Sequence, residues 1–316
     1  MTLAIGTATT GLTRRQALLA AATLPLAASL PFGPARAGAG MLGASSTSFN
    51  RIKLGAFEVT ALLAGSRLND KPRETFGLNA SEDDFAALSA ANFIPTDRAQ
   101  NFFTPTVVNT GAELVLFDTG LNPEGITATL AAAGYTPDQV DVVVLTHMHG
   151  DHIGGLMGAA GPTFANARYV TGSTEHNHWS GTDNEGFAKN VKPLADKMTF
   201  LDDGGAVAGG ITAMATPGHT PGHMAYMIES DGQRLVLTAD ACNHYVWSLA
   251  RPDWEVRFDM DKPTAAATRK SLFGMIAADR IPFIGYHMPF PALGYVEPAG
   301  DGFRYVPATY QFLMNG

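Results

Sequence analysis

A chain of 316 residues, 46% hydrophobic and only 16% charged, can bury one large core or two small ones and reads as globular. Its formal charge is −8, and the first 37 residues hold Arg14, Arg15 and Arg36 with no acid, which leaves −11 on the remainder. That acidity argues against a nucleic-acid partner, and Cys242, as the single cysteine, excludes an internal disulfide.

The chain opens with the anatomy of a secretion signal over residues 1–37. A basic start is followed by an apolar run from Ala17 to Leu30 and a small-residue end at Ala35-Arg36-Ala37. Thr13-Arg14-Arg15-Gln16-Ala17-Leu18 resembles a twin-arginine signal, the type that exports proteins already folded around a cofactor. An exported, periplasmic protein is expected. Stable membrane insertion is not, since Pro25, Pro31 and Pro34 interrupt a run already short of the ~20 apolar residues of a span. Residues 38–48, rich in Gly and Ser, are expected to be a flexible mature N-terminus, and 49–316 one domain without a long linker or an internal repeat.

Within that domain, Phe57 to Ala64, Thr106 to Asn109 and Leu114 to Phe117 predict strands, being short, β-branched or aromatic, and bounded by Gly, Asn or Asp. Pro123 to Ala133 predicts a helix, with Pro near its start and Gly134 beyond its end. Val140 to Leu145 is a continuous apolar run suited to a strand buried on both faces, and Gly154-Gly155 is expected to open the next helix. Five more strands follow at Arg168 to Thr171, Met198 to Leu201, Ile211 to Ala215, Ala225 to Ile228 and Leu235 to Thr238. A helix over Pro263 to Asp279, capped from Asp261, then leads to Ile281 to Gly285 as the last core strand. Strands in adjacent runs with helices inserted between them imply two packed sheets covered on their outer faces by helices, an α+β architecture. The segment from Asp70 to Gln100 is not assigned by periodicity.

The chemistry concentrates after the buried strand, in Thr146-His147-Met148-His149-Gly150-Asp151-His152. Alternate side chains of an extended segment point the same way, so His147, His149 and Asp151 can converge, and His152 joins as the chain turns. Four such groups in six residues are hard to explain as packing, because desolvated imidazoles and carboxylates need partners. His219, Asp240 and His287 each follow a predicted apolar strand, and strand ends on one edge of a sandwich lie together. Three histidines can then form one metal site and Asp151, His152 and His287 a second, with Asp240 bridging. This implies a cation pair ~3.5–4 Å apart with water or hydroxide between.

This series, H-x-H-x-D-H, then Pro-Gly-His, then Asp, then a late His, resembles the metallo-β-lactamase superfamily. Leu116-Phe117-Asp118-Thr119-Gly120 resembles its earlier motif, in which the Asp buttresses the metal loop. The likeness runs from Asp118 to His287 and implies an αββα sandwich. Within the superfamily the chain is most similar to methyl parathion hydrolase and related lactonases. Leu54 to Leu62, Ala132 to Pro137, Gly218 to His223 and Gly302 to Tyr310 carry that likeness, and Trp179 falls where the group has a pocket tryptophan. The chain departs from the group in Asn122-Pro123-Glu124, where the loop is shorter, and in the more polar Ala241-Cys242-Asn243-His244.

His223 reads either as a residue orienting a ligand or as a turn histidine, whereas His176 and His178 read as members of a solvated helix or loop. Trp179, Asn243 and His244 are candidates for the substrate pocket, and Phe102, Phe103, Phe283 and Phe290 for its apolar lining or for the core. Cys242 reads as a small buried residue. The expected activity is hydrolysis by a hydroxide bridging two divalent metals, with Asp151 and Asp240 in the catalytic set. Zinc is the first choice for histidine-rich ligation without thiolate; manganese, cobalt and iron stay open. The expected partner is a small-molecule lactone, ester or phosphotriester, and a homodimer is left open. Thioester or β-lactam hydrolysis, or metal binding without catalysis, are the alternatives.

Overall fold

The central strands of both sheets are set by short runs of β-branched or aromatic residues that lose their surface to neighbouring layers. The computed structural model describes residues 40–314, so the leader expected over 1–37 lies outside the described residues. In chain order the elements are β1 (Phe49–Leu54), β2 (Phe57–Leu62), β3 (Gly65–Asn69), α1 (Glu82–Ala91), β4 (Ala99–Phe103), β5 (Thr106–Asn109), β6 (Leu114–Phe117) and α2 (Pro123–Ala132). Then come β7 (Val142–Leu145), α3 (Gly150–Ile153), β8 (Met157–Gly158), β9 (Gly161–Pro162), β10 (Arg168–Gly172), α4 (Ser173–Ser180), α5 (Glu185–Asn190) and β11 (Met198–Leu201). The second half holds β12 (Ala206–Ala208), β13 (Ile211–Ala215), β14 (Met224–Ser230), β15 (Gln233–Ala239), α6 (Lys262–Asp279), β16 (Phe283–Gly285), β17 (Leu293–Ala299) and β18 (Gly302–Pro307).

Two seven-stranded mixed sheets result, ordered β1-β2-β5-β6-β7-β10-β11 and β12-β13-β14-β15-β16-β17-β18. In β7, Val142 and Val144 face the second sheet and pack with Ile211, Tyr226, Leu237 and Phe283. Val143 and Leu145, pointing the other way, pack beneath Ile126 and Leu130 of α2, Trp179 of α4 and Phe187 of α5. On the second sheet α6 contributes Leu272, Phe273 and Ile276, and the Phe273 ring meets Phe283 edge-on at 5.3 Å. The α+β sandwich expected from the sequence is therefore the observed fold.

The segment from Asp70 to Gln100 makes an excursion of its own. Ser81 caps α1 by accepting from the Asp84 N–H, and Phe76 and Phe85 pack on Val246, Trp247 and Val256. Trp247 Nε1 donates to Ser89 Oγ at 2.9 Å, tying this excursion to the chain that follows β15.

Two expectations need correction. Gly154-Gly155 does not open a helix; it follows the end of α3 at Ile153, where the chain packs so closely that a Cβ on Gly154 would collide with the Leu121 carbonyl and one on Gly155 with the Thr119 carbonyl. Nor is β16 the last core strand. The hairpin of β17 and β18 extends the same sheet beyond it, through a Pro-rich turn that hides the continuation from a run-based reading.

Candidate metal centre

The site forms where strands of both sheets stop. The buried strand β7 delivers Thr146 and His147, the extended chain reaches only as far as His149, and α3 then carries Asp151 and His152. Asp151 is thus turned by a helix away from His147 and His149 instead of alternating with them. His219 sits between β13 and β14, where Gly218 has φ +124 and leaves no room for a Cβ against the backbone of Ala265 in α6. Asp240 directly follows β15, and His287 follows β16 by one residue.

These seven side chains converge. His149 Nδ1 lies 3.1 Å from His147 Nε2 and 2.9 Å from His219 Nε2. On the other side, Asp151 Oδ2 lies 3.4 Å from His287 Nε2 and 3.7 Å from His152 Nε2. The Asp240 carboxylate stands between the two groups. Its Oδ2 is 3.3 Å from His219 Nε2, 3.1 Å from His287 Nε2 and 4.0 Å from His147 Nε2, and its Oδ1 is 3.4 Å from His152 Nε2. Ligands bound to one ion at ~2.0–2.1 Å in a tetrahedron are about 3.4 Å apart, so these spacings fit shared cations.

The hydrogen-bond shell aims the lone pairs. His152 Nδ1–H donates to Asp118 Oδ2 at 2.8 Å, which turns Nε2 towards the cluster. Asp118 also accepts from the Thr146 N–H and hydroxyl, both at 2.9 Å, and the Thr146 hydroxyl oxygen accepts from His147 Nδ1–H at 3.1 Å. His287 Nδ1–H donates to the Phe102 carbonyl at 2.8 Å, and His219 Nδ1–H to Asp259 Oδ1 at 3.0 Å. Two buried atoms at the centre, His152 Nε2 and Asp240 Oδ1, have no hydrogen-bond partner. Stranded in a dry interior, each would cost about 1–3 kcal/mol, whereas a cation uses both lone pairs at once. The His and Asp clusters fit two divalent metals.

Charges in the cluster follow from burial and crowding. Burial, reinforced by the neighbouring imidazoles His152 and His219, holds His147 well below its ordinary range, and burial with His219 holds His149 at about 3. Both keep free lone pairs at neutral pH. Burial would raise Asp151 and Asp240, but His152 and His287 outweigh it, holding Asp151 at about 2 and Asp240 well below the usual carboxylate range. The carboxylates are therefore anionic, and burial of His219 and His287 is overcome by their acidic neighbours, which hold them at about 9 and about 10.

The two residues expected to support the ligands are placed differently from each other. Asp118 touches a ligand imidazole directly. His223 instead fixes the backbone of Asp240: its Nδ1–H donates to the Thr216 carbonyl at 3.1 Å and its Nε2 accepts the Asp240 N–H at 3.1 Å. Of the pocket candidates, Asn243 is buried and donates from Nδ2 to Asp240 Oδ2 at 3.0 Å. Trp179 is also buried, its ring edge-on to His149 at 5.8 Å and its indole N–H donating to Glu175. His244 stacks on Trp247 at 4.0 Å, and its Nδ1 accepts the N–H groups of Val246 and Trp247. All three side chains are buried. Phe103 lies edge-on to His287 at 5.6 Å, whereas Phe283 belongs to the core between the sheets. His176 and His178 lie on α4, apart from the ligand clusters. Burial raises the Cys242 thiol to about 12, which leaves it un-ionised and inert.

Three participants carry no local sequence signal. Glu175, fully buried on α4, accepts from the Met148 N–H, Trp179 Nε1–H, the Thr220 hydroxyl and the Gly222 N–H, joining both ligand loops. Asp259 and Arg269 form a buried pair behind His219.

The Lactamase_B profile, described as the metallo-beta-lactamase superfamily, matches residues 104–279, and the chain belongs to that superfamily. Among curated relatives, it is 33% identical over 129 residues to an atrochrysone carboxyl ACP thioesterase of Aspergillus fumigatus, a match covering 40% of this chain and 26% of that protein. It is 28% identical over 113 residues to an N-acyl homoserine lactonase of Bacillus thuringiensis, covering 35% of this chain and 42% of the lactonase. The chain thus spans less than half the length of either. Its fold is similar to that of AidC, a dizinc quorum-quenching lactonase solved with a product, with a TM-score of 0.77 at 24% identity over 84% of this chain and 98% of AidC.

Proposed function

We propose that this chain is a dinuclear metallohydrolase, loaded with zinc, that opens lactones and cleaves aryl esters, with neutral phosphotriesters as second-rank substrates. The observation that carries the reading is the Asp240 carboxylate set between two groups of imidazoles, with Asp240 Oδ1 and His152 Nε2 unpartnered. Two divalent cations held there would supply Lewis acidity and, by lowering the pKa of water, a nucleophile at neutral pH. His147, His149 and His219 would hold one, Asp151, His152 and His287 the other, with Asp240 available to both.

The remaining work falls to the chain. His149, Asp151 and His287 are the partly exposed members of the cluster, so substrate approaches along that edge. Asp151 is the carboxylate there, and as an anion it can accept a hydrogen bond from the attacking water or the leaving group. Asn243 and the His223-bound backbone keep Asp240 from turning.

The surroundings favour uncharged substrates. Met260 N–H donates to the His219 carbonyl at 3.1 Å, so residues 258–260 run alongside a ligand, and there Phe258 is 51% and Met260 49% exposed. The Arg269 guanidinium behind His219 is buried against Asp259 and two carbonyls and is not offered to an anion. The exposed Phe258 and Met260 side chains offer apolar surface beside His219, which suits a lactone or neutral ester. The lactonase relative supports lactones as substrates. A second reading, thioester hydrolysis, is favoured by the thioesterase relative. The leader fits export to the periplasm after folding around the metals.

The test is turnover by metal-replete protein of lactones, aryl esters, phosphotriesters, thioesters and a β-lactam, with and without chelator. Lactones and aryl esters should lead, triesters follow, and β-lactam turnover be weak or absent, all abolished by chelation. Thioesters in first place would favour the second reading. Efficient β-lactam turnover with nothing measurable on the others would overturn both.

A further inference from the structure

Behind His219 lies a charged pair that a simple metal-ligand set does not require. Asp259 and Arg269 are each almost fully buried, on the loop before α6 and on α6 itself. Asp259 divides its carboxylate: Oδ1 accepts His219 Nδ1–H at 3.0 Å, and Oδ2 accepts Arg269 Nη1–H at 2.7 Å. Arg269 spends its other donors inward, from Nε to the Pro252 carbonyl at 3.0 Å and from Nη2 to the Trp254 carbonyl at 3.4 Å. The backbone repeats the link, since Met260 N–H and Asp261 N–H donate to the His219 and Gly218 carbonyls at 3.1 and 2.9 Å. Gly218 itself sits where a Cβ would strike Ala265 of α6.

A buried ion pair is costly to desolvate and is weak evidence for stability by itself. This one has a direction. Nδ1 of an imidazole can be a donor or an acceptor, and only a fixed acceptor opposite it settles which nitrogen bears the proton. Arg269 holds the acceptor in place, and a proton kept on Nδ1 makes Nε2, facing His149 and Asp240, the nitrogen that a cation would take.

We propose that Asp259 is a positioning residue for the metal site formed by His147, His149 and His219, and that Arg269 locks it there, making α6 part of that site's support. The proposal rests on the dinuclear reading above and assigns one of the two sites its own buttress, as Asp118 buttresses His152 in the other. In Asp259→Asn, an amide oxygen towards His219 puts the NH2 group against the Arg269 donors. The flipped amide forces the His219 proton onto Nε2. Either arrangement weakens the same site.

The experiment is a chelator competition with zinc on the full chain, comparing wild type, Asp259→Asn and Asp118→Asn. Wild type should bind two zinc ions. Asp259→Asn should lose about 10–100-fold in affinity at one of them with the other unchanged, whereas Asp118→Asn, which touches His152 directly and His147 through Thr146, should weaken both. A purely structural ion pair would lower the unfolding midpoint of Asp259→Asn and leave both affinities at wild-type values, and that result overturns the proposal. Should the variant fail to fold, imidazole 15N NMR of zinc-loaded wild type decides: His219 must carry its proton on Nδ1 in an exchange-protected bond, and an unprotonated or rapidly exchanging Nδ1 refutes the role. Wild type that binds no zinc instead refutes the dinuclear reading itself.

Discussion

Replacing Glu175 by Gln tests how the two ligand loops are held in register. The side chain is fully buried and has four donors on its two oxygens: Met148 N–H at 3.0 Å and Trp179 Nε1–H at 2.6 Å on Oε1, Thr220 hydroxyl at 2.7 Å and Gly222 N–H at 3.0 Å on Oε2. A carboxylate accepts all four; an amide accepts on one side only. Placing the NH2 group at the Oε1 position strands two N–H groups. At the Oε2 position the Thr220 hydroxyl can turn and accept, so a single N–H is stranded, and this is the cheaper arrangement. One stranded donor costs about 1–3 kcal/mol, and relief of charge burial offsets part of the weakening of the other bonds, for a net loss of roughly 2 kcal/mol. Glu175→Ala strands all four and should cost about 4 kcal/mol. Urea unfolding in chelator, followed by tryptophan fluorescence, measures both. Zinc affinity should fall as well, because Met148 and Thr220 adjoin His147, His149 and His219. A change under ~0.5 kcal/mol in Glu175→Gln, with zinc affinity intact, would refute the reasoning.

Three further outcomes are expected. Asp240→Ala should weaken both metals together and cut turnover by more than about 100-fold, beyond what loss of an outer partner causes; two tightly held metals with full activity would contradict the shared role. Burial holds His244 neutral, at about 3, so the unfolded chain binds a proton below its ordinary value of ~6.5 and the folded chain does not. Its contribution is complete above that value and lost as pH falls from about 6.5 towards 3, roughly 2 kcal/mol by pH 5. His244→Asn, which keeps an acceptor for the Val246 and Trp247 N–H groups, should flatten that slope in chelator, and an unchanged slope would contradict the assignment. Finally, Phe258→Ser or Met260→Ser should raise KM about fivefold for long-chain acyl lactones, ~1 kcal/mol of lost apolar contact, with short-chain lactones nearly unaffected. Equal effects on both would contradict that contact.

Much of this was legible in the sequence because the informative residues are polar where their neighbours are not. His147, His219, Asp240 and His287 each interrupt or end an apolar strand, and such groups stand out without knowledge of pairing. The strands ending at Asn109, Phe117, Leu145, Leu201, Ala215 and Gly285 were placed from their apolar runs, whereas Phe57 to Ala64 ran two residues past β2 and Ala225 to Ile228 stopped two short of the end of β14. β1, β3, β4 and β12 were missed along with β17 and β18, the last two behind Pro289 and Pro291. The supporting residues had no such contrast. Glu175 lies among polar residues of a short helix, and Asp259 and Arg269 meet His219 across 40 and 50 positions, so only the folded chain reveals them as partners. Trp179, Asn243 and His244 illustrate the converse: chain position put them near the site, but which way each side chain turned depended on acceptors at Glu175 and Asp240 and on the N–H groups of Val246 and Trp247.

The most direct test of the central claim is elemental analysis of the purified chain after dialysis against metal-free buffer. Seven ligands in two groups joined by Asp240 predict about two metal ions per chain. A stoichiometry near one, unresponsive to added zinc, would contradict a dinuclear centre.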